Sequence, residues 1–72
     1  MIQIKAYYQS IFKLNLSGYQ VSDEDGVKVI AFASEEEYNQ FLSAQQLEEK
    51  TLAEGTKIVY FPDRDAIYGK VL

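Results

Sequence analysis

Val27-Lys28-Val29-Ile30-Ala31-Phe32-Ala33-Ser34-Glu35-Glu36-Glu37-Tyr38 decides the fold, because two periodicities meet in it. Val27 to Ala33 places apolar residues on both faces of an extended chain, interrupted only by Lys28. That pattern marks an interior strand. Ser34 changes the rule. A serine at a helix N-cap with a glutamate three residues on, here Glu37, forms a capping box. Three glutamates in the first turn also complement the helix dipole. Tyr38, Phe41 and Leu42 then set an apolar stripe at i, i+3, i+4, with Gln45 next in register. The pattern predicts a helix from about Glu35 to Gln46.

Upstream, Tyr19-Gln20-Val21 alternates and meets Asp23-Glu24-Asp25-Gly26, a loop signal in which Gly26 is free to take positive φ. The runs on either side of that loop read as an antiparallel hairpin. Ser17-Gly18 reads as a turn or bulge. Downstream, Leu47 to Glu54 is weakly periodic and reads as a looser turn, stopped by Gly55. Thr56 to Phe61 is a second interior strand. Pro62-Asp63-Arg64-Asp65 is a tight turn, and Ala66 to Leu72 closes a second hairpin.

The N-terminal segment 2–16 alternates almost without fault, Ser10 and Ile11 apart. Ile2, Ile4, Ala6, Tyr8, Phe12, Leu14 and Leu16 fall on one face, and Gln3, Lys5, Tyr7, Gln9 and Lys13 on the other. At about 3.3 Å per residue it would reach about 50 Å, against a radius of gyration near 11 Å for so short a chain. It must therefore bend near Gln9-Ser10, split into two strands or project as an arm. Residues 7–16 also admit a helical reading, with Tyr8, Ile11, Phe12 and Leu16 on one side and Gly18 to end it. The strand reading is preferred because Tyr, Ile and Phe suit a pleated surface. The expected fold is a single α+β domain over residues 1–72. One helix packs on one face of an antiparallel sheet of about four to five strands, in the order β-β-β-α-β-β.

Composition narrows the chemistry. The 72 residues include no His, Cys or Trp, so imidazole catalysis, thiol nucleophiles and disulfides are excluded. No apolar run approaches the ~18 residues of a membrane span. Met1-Ile2-Gln3-Ile4-Lys5 lacks the basic start and apolar stretch of a signal peptide, and cytoplasm is the expected compartment. Asp63 and Asp65 offer paired carboxylates, but Asp after Pro serves turn hydrogen bonding and Arg64 neutralises the pair. Asp23-Glu24-Asp25-Gly26 fails the calcium-loop spacing. The four glycines are scattered singly and form no phosphate loop. The reading is therefore of a non-enzyme without metal or cofactor.

Charge is what remains. The net charge is −4, and every one of the 11 acids lies after residue 22. Free nucleic acid repels such a chain, whereas a basic protein surface attracts it. Asp23, Glu24, Asp25, Glu35, Glu36, Glu48 and Glu49 are the candidate partner-binding carboxylates. If the hairpin loop, the helix start and the segment after the helix share one side, the acids mimic a line of phosphates. Tyr7, on the polar side of the first strand, and Tyr19 are the candidate aromatic anchors.

Small, acidic, His-free and Cys-free domains are similar in size and charge to phage or mobile-element inhibitors of host nucleases, the anti-CRISPR and anti-restriction proteins. No motif carries that likeness. The expected function is an inhibitor that occupies a basic surface of a nucleic-acid-binding protein or nuclease complex. The alternative is an assembly subunit that forms a homodimer or docks into a larger complex through sheet edges and exposed tyrosines. Association that slows steeply with added salt distinguishes the first from the second.

Replacing the capping serine tests the helix start. Ser34→Ala is expected to lower stability by about 0.5–2 kcal/mol in chemical denaturation.

Overall fold

The computed structural model describes residues 2–7 and 14–72. Six strands and one helix follow one another as β1 (Ile2–Tyr7), β2 (Gln20–Glu24), β3 (Val27–Phe32), α1 (Glu35–Gln45), β4 (Glu48–Thr51), β5 (Lys57–Phe61) and β6 (Ala66–Val71). All six strands join one antiparallel sheet in the order β2-β3-β1-β6-β5-β4. The first strand in sequence thus lies inside the sheet, between the β2–β3 hairpin and the β5–β6 hairpin.

Each element forms for a local reason. At the β2–β3 turn, Asp25 and Gly26 adopt φ of 49° and 80°. Positive φ at both central residues gives the primed turn whose twist matches a hairpin. Ser34 is extended, and its Oγ accepts the Glu37 N–H at 3.2 Å. The helix ends where Gln46 turns left-handed, with φ 58°, and the Leu47 N–H donates to the Leu42 carbonyl at 2.8 Å. This closure needs no glycine, which is why Gly55 is a misleading stop signal. It also buries Leu47.

The stripe Tyr38, Phe41 and Leu42 is buried against Ile4, Ile30, Phe32, Val59 and Phe61. Phe32 and Phe41 are both fully buried, with ring centroids 5.1 Å apart. Ile2, Ile4 and Ala6 of β1 face this core as the alternation requires, and they stand across from Phe32, Ile30 and Lys28. Gly69 lets β6 approach β1. A Cβ there would meet the Lys5 carbonyl oxygen at 2.8 Å and the Ile4 Cγ2 at 2.9 Å. Beside it the β5–β6 ladder slips between Val59 and Tyr60, a bulge that leaves Tyr68 outside the pairing and buried, its ring 6.1 Å from Phe61.

One expectation is corrected. Among the described residues the sheet has six strands, not four to five, and the added one is β4, where the looser turn of Leu47 to Glu54 was expected. All four β4 residues are exposed, so no apolar alternation announces the strand. Its backbone pairing to β5 creates it. Of the long N-terminal segment, expected to bend, split or project as an arm, Ile2–Tyr7 form β1, and Leu14 and Leu16 pack on the core as irregular chain. The Gln45 Nε2 donates to the Asn15 carbonyl at 2.9 Å and holds that stretch beside the helix end. The bend expected near Gln9-Ser10, and most of the helical alternative over 7–16, fall outside the described residues.

Phe41→Ala is expected to cost about 3–5 kcal/mol, measured by urea denaturation against wild type. Gly69→Ala is expected to cost about 1–3 kcal/mol although the residue lies in a strand, because the new methyl group has no room against β1.

Candidate functional site

Asp23, Glu24, Asp25, Glu35, Glu36, Glu48 and Glu49 are all exposed. They do not form one surface. Asp23, Glu24 and Asp25 sit at the β2–β3 turn, on one edge of the sheet. Glu35 and Glu36 begin the helix, at the opposite end of β3. Glu48 and Glu49 belong to β4, the other edge strand. Glu35 and Glu49 do meet, around a depression of about 350 Å³ that Tyr38, Lys57 and Leu72 also line. Two of the three acidic groups therefore converge, and the hairpin group stands apart.

The β4 carboxylates are engaged by tyrosines. The Tyr38 hydroxyl donates to Glu49 Oε2 at 2.6 Å from a buried ring, a charge-assisted bond that ties helix to edge strand. On the opposite face the Tyr60 hydroxyl donates to Glu48 Oε2 at 3.0 Å, and Lys50 Nζ lies 5.8 Å from the Tyr60 ring centroid. Alternate residues of β4 point to opposite faces, so neighbouring glutamates serve different tyrosines. Burial, the hydrogen bond and the charge of Glu49 together hold the Tyr38 phenol far above its ordinary value near 10. The hydrogen bond to Glu48 raises Tyr60, and burial raises Tyr68.

The aromatic candidates part company as well. Tyr19 is half-buried, with edge-on ring contacts to Phe41 at 5.0 Å and Phe32 at 5.8 Å, so its ring seals the core. Tyr7 ends β1 opposite Val27, with its backbone in the ladder. Asp63 and Arg64 form an ion pair at 3.9 Å within the turn before β6, and Asp65 there takes φ 49°. Among the described residues, no three carboxylates gather as metal ligands would, and no helix is long and apolar enough to cross a membrane.

The β4–tyrosine bonds escaped the sequence reading. Their signal is present in retrospect: Glu48-Glu49-Lys50-Thr51 is a short, charged run of the kind that guards a sheet edge. Comparison with protein-family models, with curated proteins and with solved structures finds no match to this chain.

Tyr38→Phe is expected to lower stability at pH 7 by about 1.5–3 kcal/mol, the range for hydrogen bonds to a charged group. The sign with pH follows from a raised folded-state value. The unfolded chain releases the Tyr38 proton near pH 10 and the folded chain later, so wild-type stability is whole below pH 10 and falls above it. The wild-type advantage over Tyr38→Phe is therefore expected to shrink as pH rises past 10 in denaturant titrations.

Proposed function

We propose that this protein is a non-catalytic binding module whose acidic end, Glu35, Glu36 and Glu49, engages a basic protein surface. The convergence of Glu35 and Glu49 beside one depression carries the reading. Among the described residues neither Glu35 nor Glu36 pairs with a Lys or Arg, so their charge is available to a partner. Nucleic-acid-handling proteins and nucleases present such basic surfaces, and occupation of that surface inhibits them. This is the mode of action proposed here, of the phage anti-defence kind.

The separation of Asp23, Glu24 and Asp25 from the helix start argues against a single line of phosphate-like charges. The acidic end acts instead as a compact patch. Assembly through strand addition draws less support. Both edge strands, Gln20–Glu24 and Glu48–Thr51, carry exposed charged residues, which oppose extension of the sheet.

Each exposed charge pair contributes only about 0.2–1 kcal/mol, so the patch acts chiefly on the rate of encounter. A partner captured from lysate by the immobilised protein supplies the material for the test. Glu35→Lys with Glu36→Lys, leaving Glu37 to the cap, is expected to slow association about tenfold or more at low salt and to flatten its salt dependence. Reversal of Asp23, Glu24 and Asp25 is expected to do less. If neither set changes the on-rate while Tyr7→Ala abolishes binding, an apolar assembly role replaces this proposal.

A further inference from the structure

The helix covers one face of the sheet, and the register fixes what lies on the other. One cross-strand row runs Ser22, Val29, Lys5, Lys70, Ile58, Lys50 from edge to edge. Lys5 shares a strand with Ile4 of the core, so the row faces away from the helix. It holds three lysines and no acid. Lys5, Lys50 and Lys70 are exposed, and none of them makes an ion pair among the described residues.

Lys5 and Lys70 stand directly opposite one another in the middle of the sheet. Like charges in that relation destabilise a sheet. Aliphatic residues stand among them. Ile58 is 9% exposed without belonging to the core cluster, Val27 and Val29 are half-buried, and Ile67 is 64% exposed. A depression of about 310 Å³ opens beside Lys5, Lys70 and Val27. The carboxylates on this face, Glu24 and Glu48, stand on the two edge strands and outside the row.

We propose that this face, which no described element covers, docks an acidic amphipathic helix of a partner protein, laid across the strands so that its carboxylates pair with Lys5, Lys70 and Lys50. Strand spacing puts Lys5 and Lys70 about 5 Å apart and Lys50 about 10 Å further on. A helix rises about 1.5 Å per residue, so acids at i, i+3 and i+10 match the row from one side of that helix. Its apolar residues then meet Val29 and Ile67. A second copy of this chain docked face to face by a two-fold axis would bring four central lysines together, which disfavours it. Nucleic acid meets a chain of net charge −4 with Glu24 and Glu48 flanking the row. This surface is distinct from the acidic end and opposite to it in sign.

The test uses the full chain and a synthetic helical peptide with Glu at i, i+3 and i+10 beside a leucine stripe, together with a matched peptide carrying Lys instead. Amide chemical shifts at Val29, Lys5, Lys70 and Ile58 are expected to move with the Glu peptide and not with the Lys peptide. Lys5→Glu with Lys70→Glu is expected to weaken binding about tenfold or more at low salt, and Lys5→Gln with Lys70→Gln less so. Glu35→Lys with Glu36→Lys does not weaken it, which separates this surface from the acidic end. Equal binding of both peptides, shifts confined to the helix face, or unchanged affinity in the Glu variants overturns the proposal. So does tighter binding of a single-stranded oligonucleotide at the same amides, or self-association by sedimentation that the Glu variants abolish.

Discussion

Phe41 packed on Phe32, with both rings out of solvent, is the contact around which the rest of this molecule is arranged. It joins the middle of the only helix among the described residues to an interior strand, and every other core residue is placed to complete it. Tyr38 extends the aromatic cluster toward β4, and Tyr19 closes it from the β2 side. A chain of 72 residues buries only about 60% of its unfolded surface, so a core this size has little to spare. Removing one ring from such a cluster leaves a cavity that its neighbours cannot refill.

One helix covers one sheet face, and that limit shapes the surface. The face that no described element covers carries aliphatic side chains in the interior strands and lysines between them. Lysine suits the place, because its methylene stem lies on apolar neighbours while its ammonium stays in water. The acids are kept to turns, the helix start and the sheet edges, where solvation is cheap. Charge is thus segregated by architecture: cations across the middle of the open face, anions around its rim and at one end of the domain. A protein built this way has two electrostatically distinct surfaces.

Edge protection and helix docking are coupled through β4. Glu49 takes the Tyr38 hydroxyl on the helix side, and Glu48 takes the Tyr60 hydroxyl on the open side. The strand lacks buried residues of its own, so these bonds and its ladder to β5 hold it. Glutamates that read as loop charge in one dimension therefore do structural work in three. Among the described residues, Glu35 and Glu36 make no comparable bond to a tyrosine.

Much of the fold was legible because it is local. The Ser34 cap, the Asp25-Gly26 turn, the stripe of Tyr38, Phe41 and Leu42, and the alternation of Ile2, Ile4 and Ala6 each depend on residues within a turn or a strand. Periodicity assigns a side chain to a face of its own element, and those assignments hold. Register between strands is another matter, because it depends on hydrogen bonds between residues far apart in the chain, and a shift of one residue reverses every face. Only the tertiary structure placed β1 inside the sheet, drew β6 against it at Gly69, and slipped the ladder beside Tyr68. The same pairing aligned Lys5, Lys70 and Lys50 in one row and parted Asp23, Glu24 and Asp25 from Glu35 and Glu36. No spacing in the sequence encodes those distances, since the sheet order that sets them is a property of the whole chain.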